Sequence, residues 1–305
     1  MILCCGEALI DMLPRPVEGG SEGFLPVPGG AIYNTAIALG RLGEEAGFFS
    51  SISTDMFGEE LIEFLNASNV DVSTCVRLSN PTTLAFVKLS NGQAQYSFFD
   101  ENSALRMLEA SMLLEVPESV STLHFGAISL IPEPCGSAYE TLLSRNQDRV
   151  VSLDPNIRTS FIQNEDEHRA RINRMIAMAD IVKVSHEDLA WIADGRDPDK
   201  EIASWLDGNT RIVLLTRDTE GAIAFTAKGS VHQEAMKVDV VDTIGAGDTF
   251  NAGFLSGLRQ DGLLEKHKLA DLNAEMLAPA LELATRVAAR TVSKAGANPP
   301  WKSEL

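Results

Sequence analysis

The chain is poor in the residues that mark several large classes of protein. It has four cysteines in 305 residues, Cys4, Cys5, Cys75 and Cys135, and none stands at a metal-ligand spacing. The adjacent pair cannot readily bridge itself, so all four are expected to be reduced thiols, as in the cytoplasm. The five histidines are scattered, with no HExxH pair. No uninterrupted apolar run approaches the ~20 residues of a membrane span. The apolar start MILCCGEALI carries no leading Lys or Arg and is broken by Glu7 and Asp11, which makes it a poor signal peptide. Positive charge is short as well: 25 Lys and Arg against 43 Asp and Glu leave a net charge of −18. That field repels nucleic-acid backbones and anionic membranes, so neither is expected as a partner. It also repels anionic small molecules, and a phosphate-bearing ligand would need locally focused donors. There is no GxxxxGKS/T phosphate loop, no internal repeat and no low-complexity tract.

What is present belongs to a packed globular chain. Apolar residues make up 45% and charged residues 22%, which excludes disorder as the main state. Short apolar runs at 2–5, 46–53, 123–125, 150–153, 181–184 and 212–216 suit buried strands. Between them, 33–42, 59–65, 169–178 and 187–192 carry apolar residues at helical spacing, and 270–293 extends this in the C-terminal third. Such alternation predicts a mostly parallel sheet with helices on both faces, whose ligands gather at the carboxyl ends of the strands.

Two segments break the pattern. Residues 82–100 alternate apolar and polar around Asn91-Gly92, a hairpin signal. Residues 12–28 are rich in Pro and Gly and have no helical period. Segments 12–28 and 82–104 are expected to form a small antiparallel β lid on a single domain spanning 1–305. Exposed apolar positions there would suit either a closing lid or a homodimer joined through it. The residues after Gly296 read as a surface tail.

The most informative stretch is 238–258, VDVVDTIGAGDTFNAGFLSGL. A β-rich run, 238–241, leads into Gly245-Ala246-Gly247, which opens a helix with Phe250, Phe254, Leu255 and Leu258 on one face. Ala252 and Gly253 let that helix approach its neighbours closely. Small residues at the turn leave the first helical N–H groups bare, and with the helix dipole they make an anion site. Asp248 stands where a phosphate would be drawn, placed to take a proton from an attacking hydroxyl. An acidic residue capping a helix beside a tight turn fits the spacing equally well.

Residues 242–255 resemble the C-terminal signature of the pfkB-type sugar kinases, the ribokinase/fructokinase superfamily. The resemblance implies a ribokinase-like three-layer α/β/α fold, with Asp248 as catalytic base and the backbone of Gly245, Ala246 and Gly247 as the anion hole. It extends along the chain. Pro28-Gly29-Gly30-Ala31 with Asn34 is similar to the N-terminal signature that holds the sugar, although Ile32 and Tyr33 replace smaller residues. Asp11, in GEALID, becomes a sugar contact by the same resemblance. Asp154-Pro155-Asn156-Ile157-Arg158 resembles a D-P-N-x-R element whose Arg158 would meet the substrate phosphates. Ser185 and Asp188 align with an N-x-x-E element that organises Mg2+ and phosphate, with Ser for Asn and Asp for Glu; Glu187 competes for the metal role. Thr216 and Gly221 fall on a T-x-G-x-x-G nucleotide loop in which Asp218 replaces a glycine. ATP and Mg2+ are thereby implied, and K+ near Asp242, Ile244 and Gly296 in the manner of several family members.

For the substrate, family members divide among fructose, ribose, 2-keto-3-deoxygluconate, nucleosides and sugar phosphates. Asp100 and Glu101 would repel an acid sugar, and 124–130 (HFGAISL) is similar to a run of bacterial fructokinases. D-fructose, phosphorylated on a primary hydroxyl to fructose 6-phosphate, is the expected substrate. A nucleoside kinase is made less comfortable by 6% aromatics, and a non-catalytic sugar sensor by the intact Asp248 loop.

Overall fold

The computed structural model describes residues 1–17, 22–90 and 93–305. Its first half contains strands β1 (Ile2–Cys5), β2 (Leu9–Pro16), β3 (Glu22–Gly29), β4 (Ala46–Phe49), β5 (Ser51–Ser53), β6 (Val70–Asp71), β7 (Val76–Leu78), β8 (Leu84–Ser90) and β9 (Gln93–Phe99). The second half contains β10 (Thr122–Gly126), β11 (Val150–Asp154), β12 (Ile181–Ser185), β13 (Ile212–Thr216), β14 (Ala222–Thr226) and β15 (Gly229–Gln233). The helices are α1 (Ala31–Arg41), α2 (Met56–Ala67), α3 (Cys135–Ser144), α4 (Glu165–Met178), α5 (His186–Ala193), α6 (Pro198–Asp207), α7 (Ala246–Gln260), α8 (Lys266–Leu269) and α9 (Ala278–Val292).

Among the described residues the main sheet runs β15-β14-β13-β12-β11-β10-β1-β4-β6, parallel from β13 to β6 and antiparallel at β14 and β15. Strand periodicity divides the core in two. Ile2 and Cys4 of β1 join the apolar cluster of α1, α2, α7 and α9, whereas Leu3 and Cys5 join that of α3 to α6. This is the expected three-layer α/β/α sandwich. From β1 the chain proceeds to β4 on one side and later to β10 on the other. The strand order therefore reverses beside β1, and a crevice opens there at the carboxyl ends.

A second sheet, β3-β2-β8-β9, stands over that end. Its two hairpin pairs are antiparallel, and β2 and β8 join them in parallel. β2 starts at Leu9, three residues before the expected segment, because Leu9 and Ile10 are still buried in the core. The Asn91-Gly92 turn lies outside the described residues, as do 18–21.

Four sequence expectations change. Residues 238–241 form no strand: the amides of Val241 and Asp242 donate to Val292 O, and Val240 and Val241 are exposed. The run 46–53 is two strands, and β5 leaves the main sheet to pair with β7. The helix expected over 270–293 begins only at Ala278, with Pro279 in its first turn. The tail is docked: Arg41 Nη1 donates to Asn298 Oδ1 and Pro299 O, each at 2.8 Å, and its guanidinium lies over Trp301. All four cysteines are free, and Cys4, Cys5 and Cys135 are buried. Among the described residues no helix is long and apolar enough to cross a membrane.

Helix α7 packs closely on α9. A Cβ at Gly253 would lie 2.7 Å from Ala284 Cα, and one at Gly257 would lie 2.6 Å from Ala280 Cα. Glycine at these i, i+4 positions permits backbone approach that no other residue allows. Gly257→Val should lower stability by about 1–3 kcal/mol, the usual result of overpacking, seen as a lower urea midpoint; an unchanged midpoint would contradict this packing.

Candidate active site

The crevice is bounded by the first turn of α7. Gly245 precedes it in the left-handed region (φ 81°), and a Cβ there would lie 2.9 Å from Ala297 Cβ. No side chain caps this end, so the opening amides carry the positive pole of the helix. Asp248 is the third helical residue and is buried. Two successive residues of α1 hold it: Asn34 Nδ2 donates to Asp248 Oδ2 at 2.9 Å, and Thr35 Oγ1 donates to Asp248 O at 3.0 Å. Asn34, expected on the sugar, is thus also the partner that orients Asp248.

Three carboxyls crowd this region, and burial dominates each. Asp248 is pushed up to about 6 by burial; Asn34 and the cations Lys183 and Arg158 oppose this, and Asp154 adds to it. Asp11 rises to about 7 through burial and the charge of Asp248. Glu7 also rises to about 7 through burial, against the backbone amides it accepts. Its Oε1 accepts from Ala31 N at 2.7 Å and Ile32 N at 3.3 Å, and its Oε2 from Ser129 N at 3.4 Å. Glu7 therefore caps α1 from outside, where Gly30 offers no side chain. Gly29 and Gly30 are required by space: added Cβ atoms would lie 2.3 Å from Asp11 Oδ2 and 2.8 Å from Glu7 O.

On the other flank, Asp154 Oδ2 accepts from Lys183 Nζ at 3.1 Å and from Asn251 Nδ2 at 2.7 Å. Arg158 is exposed and donates to Ile157 O at 3.0 Å. Ser185 and Asp188 form a capping box on α5. Asp188 accepts Ser185 N at 3.1 Å on Oδ2 and Ile157 N at 2.8 Å on Oδ1. Asp188 thus ties the loop after β11 to the start of α5. The neighbouring Glu187, Asp218 and His186 are exposed, with ligand atoms within 4.8 Å of one another. Thr216 ends β13, and Gly221 (φ 92°) leaves no room for a Cβ, which would lie 2.1 Å from Gln233 O. Asp100 is buried and paired with Arg106 at 3.3 Å, so its charge is balanced instead of bare. His124, in the fructokinase-like run, is a core residue: it meets Ser152 Oγ at 3.0 Å, and burial lowers it to about 3.

Sequence reasoning assigned no role to Glu7, Asp154, Lys183 or Asn251. The signal was present for two of them, a lysine inside the apolar run IVKVS and a glutamate between apolar residues.

Residues 1–304 match the pfkB family carbohydrate kinase profile. The chain belongs to this family. A fructokinase of Rhizobium leguminosarum bv. trifolii is 53% identical over 278 residues, 91% of this chain and 85% of its own length. Among solved structures, a Xylella fastidiosa fructokinase with bound ATP superposes with TM-score 0.89 at 29% identity, covering 97% of this chain and 93% of its own. A Vibrio cholerae O395 fructokinase in fructose-, ADP- and calcium-bound form gives 0.84 at 26% identity, covering 97% and 94%. The expected ribokinase-like fold is therefore the fold of this pfkB-family kinase, a phosphotransferase with an alcohol acceptor.

Burying a carboxylate in this kinase has a stability consequence. The unfolded chain releases the Asp248 proton near 4 and the folded chain near 6. The folded state therefore holds the extra proton between these values, and its stability falls as pH rises through that window. Asp248→Asn removes this cost. It should raise stability at pH 8 by about 1–3 kcal/mol, a gain that disappears near pH 4 in urea titrations. An equal gain at both pH values would show that ionisation is not its source.

Proposed function

We propose that the chain is an ATP-dependent fructokinase, converting D-fructose and ATP to fructose 6-phosphate and ADP. The observation that carries this reading is the buried Asp248 carboxyl at the uncapped first turn of α7, facing the crevice with Asp11. Its fructokinase relatives support the choice of sugar. Asp11, Asn34 and the backbone at Gly29 and Gly30 hold the sugar hydroxyls. Asp248 accepts the proton of the primary hydroxyl, and the freed oxygen forms a bond to the γ-phosphorus as the bond to the ADP oxygen breaks. The amides of Gly245, Ala246 and Gly247 receive the negative charge spread over the equatorial oxygens. Ser185, Thr216 and Gly221 lie at the carboxyl ends of β12 and β13, where the nucleotide sits, and Arg158 supplies a guanidinium for its phosphates.

The divalent ion is Mg2+. It would neutralise phosphate charge, and the exposed Glu187 and Asp218 are the carboxylates available to hold it through water, in place of Asp188. A monovalent cation, K+, suits the carbonyls of Asp242 and Ile244. Here Asp242 ties the loop by accepting Ile244 N and Gly296 N, each at 3.0 Å. The second sheet is the lid of a single 1–305 domain. Its exposed Phe24, Leu25 and Phe99 suit pairing of two copies. Free thiols throughout fit a reducing cytoplasm.

A coupled ADP-release assay over fructose, ribose, adenosine and 2-keto-3-deoxygluconate should give the highest kcat/KM with fructose. Asp248→Asn should cut kcat about 10²–10⁴-fold, as loss of a general base does, while fructose still binds by calorimetry. Undiminished turnover would refute the assigned base. Because Asp248 must be ionised, wild-type kcat/KM should rise about tenfold per pH unit up to about 6 and then level. A limb centred near 4, the ordinary carboxylate value, would refute the buried base.

A further inference from the structure

Lys183 is the one buried lysine among the described residues, set in the middle of β12. Its Nζ donates to Asp154 Oδ2, which Asn251 Nδ2 also reaches from α7. Across from it stands Gly247, where an added Cβ would lie 3.1 Å from Nζ. The lysine thus joins β11 and β12 to the opening turn of α7, directly beneath the loop of bare amides. Asp154 Oδ1 is buried with no partner among the described residues. An ammonium has three donors, and Asp154 uses one. As packing this arrangement is poor, because a buried ion pair is often no better than two apolar residues of the same volume. A charge that serves what lies above it gives the pair a use that packing alone does not.

We propose that Lys183 is a positioning residue for phosphoryl transfer: clamped by Asp154 beneath Gly247, its ammonium is the buried positive charge that supports both the anion loop and the Asp248 carboxylate. This rests on the reading of Asp248 as base. The groups facing Asp248 are mostly negative: Glu7 from the turn after β1, Asp11 from β2 and Asp154 from β11. Asn34 of α1 is neutral, and Arg158 is exposed to solvent. Lys183 is the only buried cation among them, and it favours the ionised form of Asp248 while Asp154 opposes it.

The two partners of this ion pair carry opposite charges and bias the base in opposite directions, while only a pair that serves phosphoryl transfer should also lower kcat on the pH plateau when its cation is removed. Steady-state kinetics of the full chain from pH 5 to 9, with urea unfolding in parallel, test this. Lys183→Met should lower kcat about 10²-fold, the scale of a lost electrostatic contact, with KM for fructose within about threefold. Its acid limb should move to higher pH. Asp154→Asn should move the limb to lower pH, and Lys183→Arg should restore the wild-type position. A Lys183→Met limb that coincides with wild type, or limbs that shift in the same direction in Lys183→Met and Asp154→Asn, would overturn the proposal. If Lys183→Met does not fold, Asp154→Asn decides alone: a limb unmoved or raised overturns it. The Asp248→Asn variant keeps the two readings apart. Inactive Asp248→Asn with a normal Lys183→Met defeats only the role of Lys183, whereas active Asp248→Asn defeats the base itself.

Discussion

In the proposed reaction a negatively charged side chain and a negatively charged ligand share the mouth of one helix. Everything around α7 is arranged by that constraint. The helix end attracts anions, and Asp248 occupies its third position, yet the amides ahead of it are left uncapped, as the proposed phosphate site needs. The carboxyl is therefore held from the side, by Asn34 and Thr35 of α1, instead of folding back as a cap. A chain with a net charge of −18 cannot draw ATP by its overall field. It depends on a few oriented dipoles and cations, and these work because the surroundings are dry.

The fold was legible where burial on both faces forces a continuous apolar run. β1 and β13 appear in the sequence with the bounds they have in the structure. The parallel strands between them differ by a residue or so at their ends. The antiparallel edge was not legible: none of the five residues of β15 is buried, and the strand carries Ser230, His232 and Gln233. Residues 238–241 show the opposite error. Their β-branched composition favours a strand, but among the described residues they pair with no strand and the amides of Val241 and Asp242 go to Val292 O of α9, and β propensity expresses packing on neighbours. In the C-terminal third, apolar spacing hid the start of α9, which Pro279 marks, since proline is tolerated in a first helical turn and not within.

The site was legible where function sits in one continuous segment. Gly245 to Asp248 could be singled out from the sequence because they lie together, two glycines and an acid at one helix start. The contacts that tune Asp248 cross 214 residues to Asn34, and those of Asp154 cross 97 to Asn251. No local pattern encodes such pairs. Asp188 adds contacts that its motif position did not announce: it reaches the amides of Ser185 and Ile157 and closes a capping box. Glu7 does the same for α1, whose own N-cap is a glycine.

The three raised carboxyls also tie the two sheets together. Asp248 belongs to the core, Glu7 follows β1, and Asp11 lies on β2 where that strand leaves the core for the second sheet. Leu9 and Ile10 anchor the strand, and its far end is exposed. The charge of Asp248 raises Asp11, so protonation of one carboxyl depends on the other. Their burial requires the second sheet to stand over the crevice, since the crevice at the strand ends alone would leave Asp11 in water. Desolvation, and with it the basicity of Asp248, is thereby coupled to the position of that sheet. The close packing of α7 on α9 through Gly253 and Gly257 fixes the other half of the pair. One wall of the site is fixed by contact of backbones, and the other is carried on β2, which passes from the core into the second sheet.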